Sequence, residues 1–345
     1  MNGTENKMSF LFRFSPKMYY SFTGGVVFAI LLAIPLLKNN YITHIIIEIF
    51  LLAYLGQAWN IMCGNTGQLS FGHAAFFGIG LYTSSILFVK LGVSPWAGMF
   101  VGGTLAFIVG AVVGKVSFSY GLKGVYFAFV TLSFAEMLGL FCLLFRSLTG
   151  GAEGILLPWK GHNPLMFCFE ANKKYLYYYT VLAMVLGCTL VAHWVKKVRF
   201  GYCLAAIREN EDAAEMLGID TAKYKLVAIA ISAFLTALGG TFYMQYYQHV
   251  EPGEAFGAFR SFEILYPVII GGGGSIVGPL LGAFVLQLFE EITRATMPPL
   301  MHGFHRMIYG VIIVVMIMYM PRGLVGLIES CKERVVLKYK IGTRE

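Results

Sequence analysis

The chemistry of this chain is concentrated in one polar run, Arg199 to Asp220 (RFGYCLAAIRENEDAAEMLGID), set between long apolar segments. Arg208, Glu209, Asn210, Glu211, Asp212 and Glu215 crowd around the small pair Ala213-Ala214, and Gly218 closes the run. The chemistry such a mixture supports is recognition: charges fix register, and small side chains permit close approach. The spacing predicts a helix over 205–217, since no Gly or Pro interrupts it and Ala, Leu, Met and Glu favour helix. On that helix Arg208 and Asp212 stand four apart and can pair. Ala205, Ala206, Ala213, Met216 and Leu217 supply a small apolar surface. The plain reading is a solvated helix between two spans; the sharper one is a docking handle for a partner in water.

A second group of chemistry-bearing residues lies inside apolar text. Asn60, Asn65, Gln68, Ser70 and His73 cluster in one segment, Thr131, Ser133 and Glu136 in another, and Gly273 and Ser275 in a glycine-rich third. Polar groups at membrane depth are costly unless partnered. Asn65, Gln68, Ser70, His73, Thr131, Glu136, Gly273 and Ser275 are therefore candidates for a substrate path. Hydrogen bonding between helices is the alternative for each. His73 also fits a satisfied core histidine, Glu136 a helix cap, and Glu48 a structural role near a membrane face. The Phe76-Phe77 and Met316-Met318 runs are most simply lipid-facing or packing residues.

Catalytic and nucleotide-binding patterns are missing. The nearest approach to a P-loop, Val109 to Val116, lacks the first glycine and the hydroxyl after Lys115, and it lies in an apolar helix. The run Gly271 to Gly274 follows no strand, which removes a dinucleotide reading. There is no HExxH, no GxSxG and no carboxylate series at proton-relay spacing. The six cysteines (63, 142, 168, 188, 203 and 331) show neither CxxC nor paired spacing, so no metal site or disulfide framework is indicated. The expectation is a chain that is not an enzyme, binds no cofactor of its own, and takes any energy for its work from outside.

The elements that must position these groups follow from composition. The 345 residues are 57% hydrophobic and 13% charged, with mean hydropathy +0.69. Soluble domains carry about 25% charged residues, so the chain reads as an all-α, polytopic integral membrane protein. At about 20 apolar residues per crossing, its length holds roughly eight to ten spans and no soluble catalytic domain. It is expected to form a single transmembrane domain over 1–345. The net charge of +8 is no nucleic-acid footprint. Its Lys and Arg gather at the N-terminus, around 196–225 and after Arg322, flanking apolar runs as positive-inside topology requires. The N-terminus shows no cleavable signal pattern.

Apolar segments recur near 21–37, 42–63, 71–90, 93–116, 123–146, 175–195, 224–248, 262–290 and 302–320. If the three basic groups share one side, crossings between them must be even in number. Six precede the charged loop (197–223), but three come after it. One of those three must be broken, re-entrant or paired differently, and 262–290, with Gly271 to Gly274, Gly278-Pro279 and Gly282, is the expected one. The stretch GQLSFGHAAFFG (67–78) is a comparable interruption in the first half; paired interruptions mark the substrate path in many transporters. The loop 147–174, on the opposite side, is expected to form an ordered cap or a short helix lying in the interface.

The run RENEDAAEMLGID resembles the cytoplasmic loop of ABC-importer permeases, with Asp212-Ala213-Ala214 and Gly218 filling its EAAxxxG pattern. Within that superfamily the chain is similar to the branched-chain amino acid permeases of the LivM type. GNTGQLSFGHAAFFGIGLYT (64–83), GVYFAFVTLSFAEM (124–137), PVIIGGGGSIVGPLLGA (267–283) and MPRGLVGL (320–327) agree with them in order. The likeness runs from about residue 45 onward, and the glycine quartet is richer than the usual pattern.

The resemblance implies half of a translocation path for leucine, isoleucine and valine. A second homologous permease subunit, two ATP-binding cassette subunits carrying ATP and magnesium, and an external substrate-binding protein would complete the importer, with no nucleic acid involved. It further implies that the ATPase grips the 208–218 run, and that the chain sits in a bacterial cytoplasmic membrane with both termini inside. The neighbouring alternatives are a permease of this class for urea, amides or small carboxylates, and a stand-alone secondary transporter.

Overall fold

The computed structural model describes residues 32–37, 39–158 and 174–296, together with 163, 167, 169 and scattered positions between 310 and 330. Most of the apolar segments 21–37 and 302–320 lies outside the described residues. Two compact units divide the chain, Met1–His44 and Ile45–Glu345, and the helical bundle forms the second.

Among the described residues the chain is almost wholly helical, as its composition requires. Six helices are long and apolar enough to cross a membrane. They are α1 (Asn40–Trp59, continued by a π-helical turn to Gly64), α2 (His73–Leu91), α3 (Pro95–Ser119), α4 (Gly124–Leu144), α5 (Lys174–Lys197) and α8 (Thr221–Tyr247). Between α5 and α8 lie the short helices α6 (Arg199–Glu209) and α7 (Glu211–Met216). After α8 come α9 (Pro252–Phe256), α10 (Ala258–Gly271) and α11 (Gly278–Thr296).

Helix α8 is the axis of the bundle, packed against α2 and α3. Its inner face is small (Ala228, Ala233, Ala237, Gly240), and small residues let helix backbones touch where lipid provides no hydrophobic drive. A Cβ on Gly80 would run into the carbonyl oxygen of Ala237, and one on Gly240 into that of Phe77. Phe76 and Phe77 are buried packing residues. By contrast α3 and α4 turn Phe100, Ile108, Val112, Phe129 and Leu140 outward, an apolar face suited to lipid.

The 262–290 segment is broken, as its glycines lead one to expect. Helix α10 ends at Gly271, the backbone turns through Gly272 (φ 111°) and Gly274 (φ 80°), and α11 restarts at Gly278. The Ser275 hydroxyl donates to the Gly272 carbonyl (2.9 Å) and accepts from the Gly278 N–H (2.8 Å), which satisfies both ends of the break. The turn lies at the end of the bundle that carries the charged loop, where Arg208 donates to the Gly273 carbonyl.

At the other end the 147–174 loop is ordered over its described part. Arg146–Thr149 forms one helical turn, and β1 (Ile155–Leu156) pairs antiparallel with β2 (His249–Val250) beyond α8.

Candidate functional site

The polar run does not form one helix. Asn210 adopts an extended backbone (φ −159°, ψ 110°) and divides it into α6 and α7. Its side-chain oxygen accepts the Ala213 N–H (3.0 Å), an N-cap interaction that competes with a continuous helix. The Arg208–Asp212 pair expected from helical spacing is therefore absent, because the break turns the two side chains apart. Asp212 meets Lys123 instead (2.9 Å), and Arg208 donates to the carbonyls of Gly64 (2.9 Å) and Gly273 (3.5 Å).

Gly218 stands at φ 82°, one residue beyond the α7 C-cap Leu217. Its N–H donates to the Glu215 carbonyl (2.9 Å), and the Ile219 N–H donates to that of Ala214 (3.1 Å). This is the Schellman ending that needs a left-handed residue, which is the physical reason for a glycine there. Around that frame Ala214 is buried against the chain's own surface, while Met216 and Leu217 are 91% and 82% exposed. Ala213, Asp212 and Glu215 are exposed as well.

Glu211 binds the loop to the spans through three partners. Glu211 meets Lys225 of α8 at 2.5 Å, with side-chain exposures of only 13% and 4%, and Lys123 at 3.6 Å. Glu211 also accepts from the Gln68 amide (3.2 Å), whose oxygen accepts the Gly124 N–H at the start of α4 (3.1 Å). Lys123 is held above its ordinary pKa, first by the hydrogen bond to Asp212, and that bond holds Asp212 below the usual carboxylate range.

The two interruptions foreseen at 67–78 and 272–282 converge here. Asn60, in the π-helical turn, donates to the Ser275 carbonyl (2.7 Å) and accepts the Gly274 N–H (2.7 Å). Lys196, at the end of α5, donates to the Gly274 carbonyl. Gln68, Gly273 and Ser275, candidates for a substrate path, thus stand at the junction of loop and breaks.

The other candidates are satisfied within the chain. Ser232 donates to the Ala58 carbonyl (2.7 Å), so His73 Nε2–H donates to Ser232 (2.8 Å) and Nδ1 accepts from Ser70 (3.2 Å). Thr131 donates to Ala128 and accepts the Phe71 N–H. Asn65 donates back to Ile61 (3.0 Å), and Glu136 accepts the Ala258 N–H at the start of α10 (2.9 Å). These bonds hold helix breaks and helix ends, and the buried His73 has both ring nitrogens bonded within the chain.

A family model described as branched-chain amino acid transport system / permease component matches residues 41–319. The chain belongs to that family. It is 28% identical over 295 residues to the high-affinity branched-chain amino acid transport system permease protein LivM of Escherichia coli K12, covering 78% of this chain and 66% of LivM. It is 23% identical over 290 residues to LivH of the same strain, covering 79% and 91%. A probable LivM of Methanocaldococcus jannaschii is 25% identical over 234 residues. The chain thus spans about two thirds of the length of the LivM proteins it matches. No solved structure matches it. The permease is a multi-pass membrane protein and a transport subunit rather than an enzyme.

Sequence reasoning missed Lys123, Lys196 and Lys225 as tethers, and it named Asn60 without its bridging role. It also passed over Arg260, Glu254 and Glu263. Lys225 and Arg260 are ionisable residues at the edges of apolar segments, and that was the available signal.

Proposed function

We propose that this permease is the membrane-spanning subunit of an ATP-driven importer and forms half of the path for leucine, isoleucine and valine delivered by an external binding protein. A second homologous permease and two ATP-binding subunits complete the assembly, which lies in a bacterial cytoplasmic membrane with both termini inside. The α6–α7 loop seats on an ATP-binding subunit through Ala213, Met216 and Leu217. Arg208, Glu209, Glu211 and Asp212 set its register, Asn210 and Gly218 shape it, and Ala214 anchors it inward.

One observation carries this reading: Arg208 and Glu211 tie the exposed loop directly to both helix breaks. A pull on the loop is therefore a pull on Gly64 and Gly273, the points where the spans are already interrupted. Broken helices are bistable where continuous ones are stiff, so force applied there switches access to the path.

The test is leucine uptake into proteoliposomes holding this chain and its partners. Uptake that requires ATP and all the subunits is expected; uptake by this chain alone, indifferent to nucleotide, overturns the reading.

A further inference from the structure

The far end of the bundle holds a cavity of about 550 Å³ between α1, α8, α9, α10 and α11. Small-molecule sites occupy about 300–1,000 Å³. One wall is apolar: Leu51, Leu52 and Leu55 of α1 with Ile264 of α10. The facing wall is charged, and its centre is Arg260, whose side chain is only 9% exposed. Arg260 lies over the rings of Tyr243 (4.5 Å) and Phe77 (5.1 Å). It donates to Glu263 (2.8 Å), to the Glu254 carboxylate (2.9 Å) and carbonyl (3.4 Å), and to the Tyr243 hydroxyl (3.0 Å).

Two details give this cavity a chemical preference. Its lining holds four carboxylates (Glu48, Glu254, Glu263, Glu290) against two guanidiniums (Arg260, Arg294), a negative balance that favours an incoming ammonium. Glu263 receives Arg260 on Oε2 alone, and four of the five guanidinium hydrogens of Arg260 are engaged, leaving one on Nη1. An accepting oxygen and a donating hydrogen thus remain side by side on a touching Glu–Arg pair. An α-amino acid carries its ammonium and carboxylate one carbon apart and complements such a pair. Its side chain would then face the leucine wall.

We propose that this cavity binds a zwitterionic α-amino acid with an apolar side chain. Glu263 takes the ammonium, the free Arg260 hydrogen takes the carboxylate, and Leu51, Leu52 and Leu55 receive the side chain. The site rests on the importer reading, which places this end outside, where substrate arrives.

The assembled importer is irradiated with the diazirine analogue photo-leucine, and the labelled residues are found by peptide mass spectrometry. Label is expected within 48–55 or 253–264. Leucine displaces it, but neither 4-methylpentanoate, which lacks the ammonium, nor 3-methylbutylamine, which lacks the carboxylate, does so at equal concentration. Glu263→Gln, which keeps the volume and removes the charge, lowers labelling at least tenfold. Gly253→Phe, in the cavity lining at a position where a Cβ meets nothing within 4 Å, does the same by narrowing the cavity. Label elsewhere, or label in the cavity that both variants leave intact, overturns the proposal. ATP-driven leucine uptake by the unmodified importer is measured in parallel: its presence with no label in the cavity sinks the site alone, and its absence sinks the importer reading.

Discussion

At the loop end of the permease, Asn60, Arg208 and Lys196 direct their hydrogen bonds at backbone groups of the two helix breaks, and Glu211 meets a buried lysine. At the far end Arg260, Glu254 and Glu263 are just as charged, but they line a cavity and keep bonding capacity in reserve. The same residue types thus serve opposite purposes. Where the partners are backbone carbonyls and N–H groups, the side chains fasten loop and breaks to one another. Where the partners are other side chains around a void, they share their charges with the proposed ligand. Polar groups in a membrane bundle are expensive, and the two ends show the two ways of justifying them.

The comparison can be broken most forcefully at Glu211. Glu211→Ala strands Lys225 in a buried site, and loss of one partner of a buried pair costs about 3–5 kcal/mol. A large fall in thermal stability is expected, recovered in part by Glu211→Leu combined with Lys225→Met. An unchanged unfolding temperature would show that the pair does not hold the loop to the spans. Asn60→Ala leaves the Gly274 N–H and the Ser275 carbonyl without their partner, at about 1–3 kcal/mol for each unsatisfied group. Faster hydrogen exchange confined to 272–278 is the expected signature, and exchange unaltered there counts against the bridge.

Gly218→Leu forces a side chain onto a left-handed backbone (φ 82°), and a Cβ there meets nothing within 4 Å in this chain. A left-handed backbone costs a non-glycine residue about 1–2 kcal/mol. The ATP-binding subunit should co-purify poorly with this variant while membrane insertion stays normal; full co-purification contradicts the docking role.

The smallest effect is electrostatic. The lowered pKa of Asp212 means that its contribution is present above the ordinary aspartate value, near 3.9, and is lost as pH falls through the folded value. The raised pKa of Lys123 means that its contribution is present below the ordinary lysine value, near 10.4, and is lost as pH rises through the folded one. Exchange protection of 211–217 should therefore be flat between about pH 5 and 9 and weaken with salt. A transition near neutrality would point to a different tether.

The spans, the break at the glycine quartet and the polar loop were legible because each is a local property of the text. Hydropathy marks a crossing, Gly271 to Gly274 cannot continue a helix comfortably, and Gly218 is where α7 ends. Asn210 escaped because nothing in helical spacing separates a tolerated asparagine from one that caps its own break. Arg208 escaped because its partners are carbonyls, which carry no side-chain signature, 144 and 65 positions away. The cavity draws Glu48, Arg260 and Glu290 from helices far apart in sequence, so no periodicity announces it. The resemblance to importer permeases located the loop but could not say what it pulls.

That the loop and the breaks move as one body is the central claim. Spin labels at Tyr202→Cys on α6 and Val277→Cys, both on exposed side chains, read it directly in the assembled importer. Between the nucleotide-free and ATP-trapped states, the 202–277 distance distribution should stay the same, while that from 202 to a label at Leu156→Cys, at the far end, shifts. A change in the 202–277 distance, with the loop sliding past a stationary break, would contradict the account.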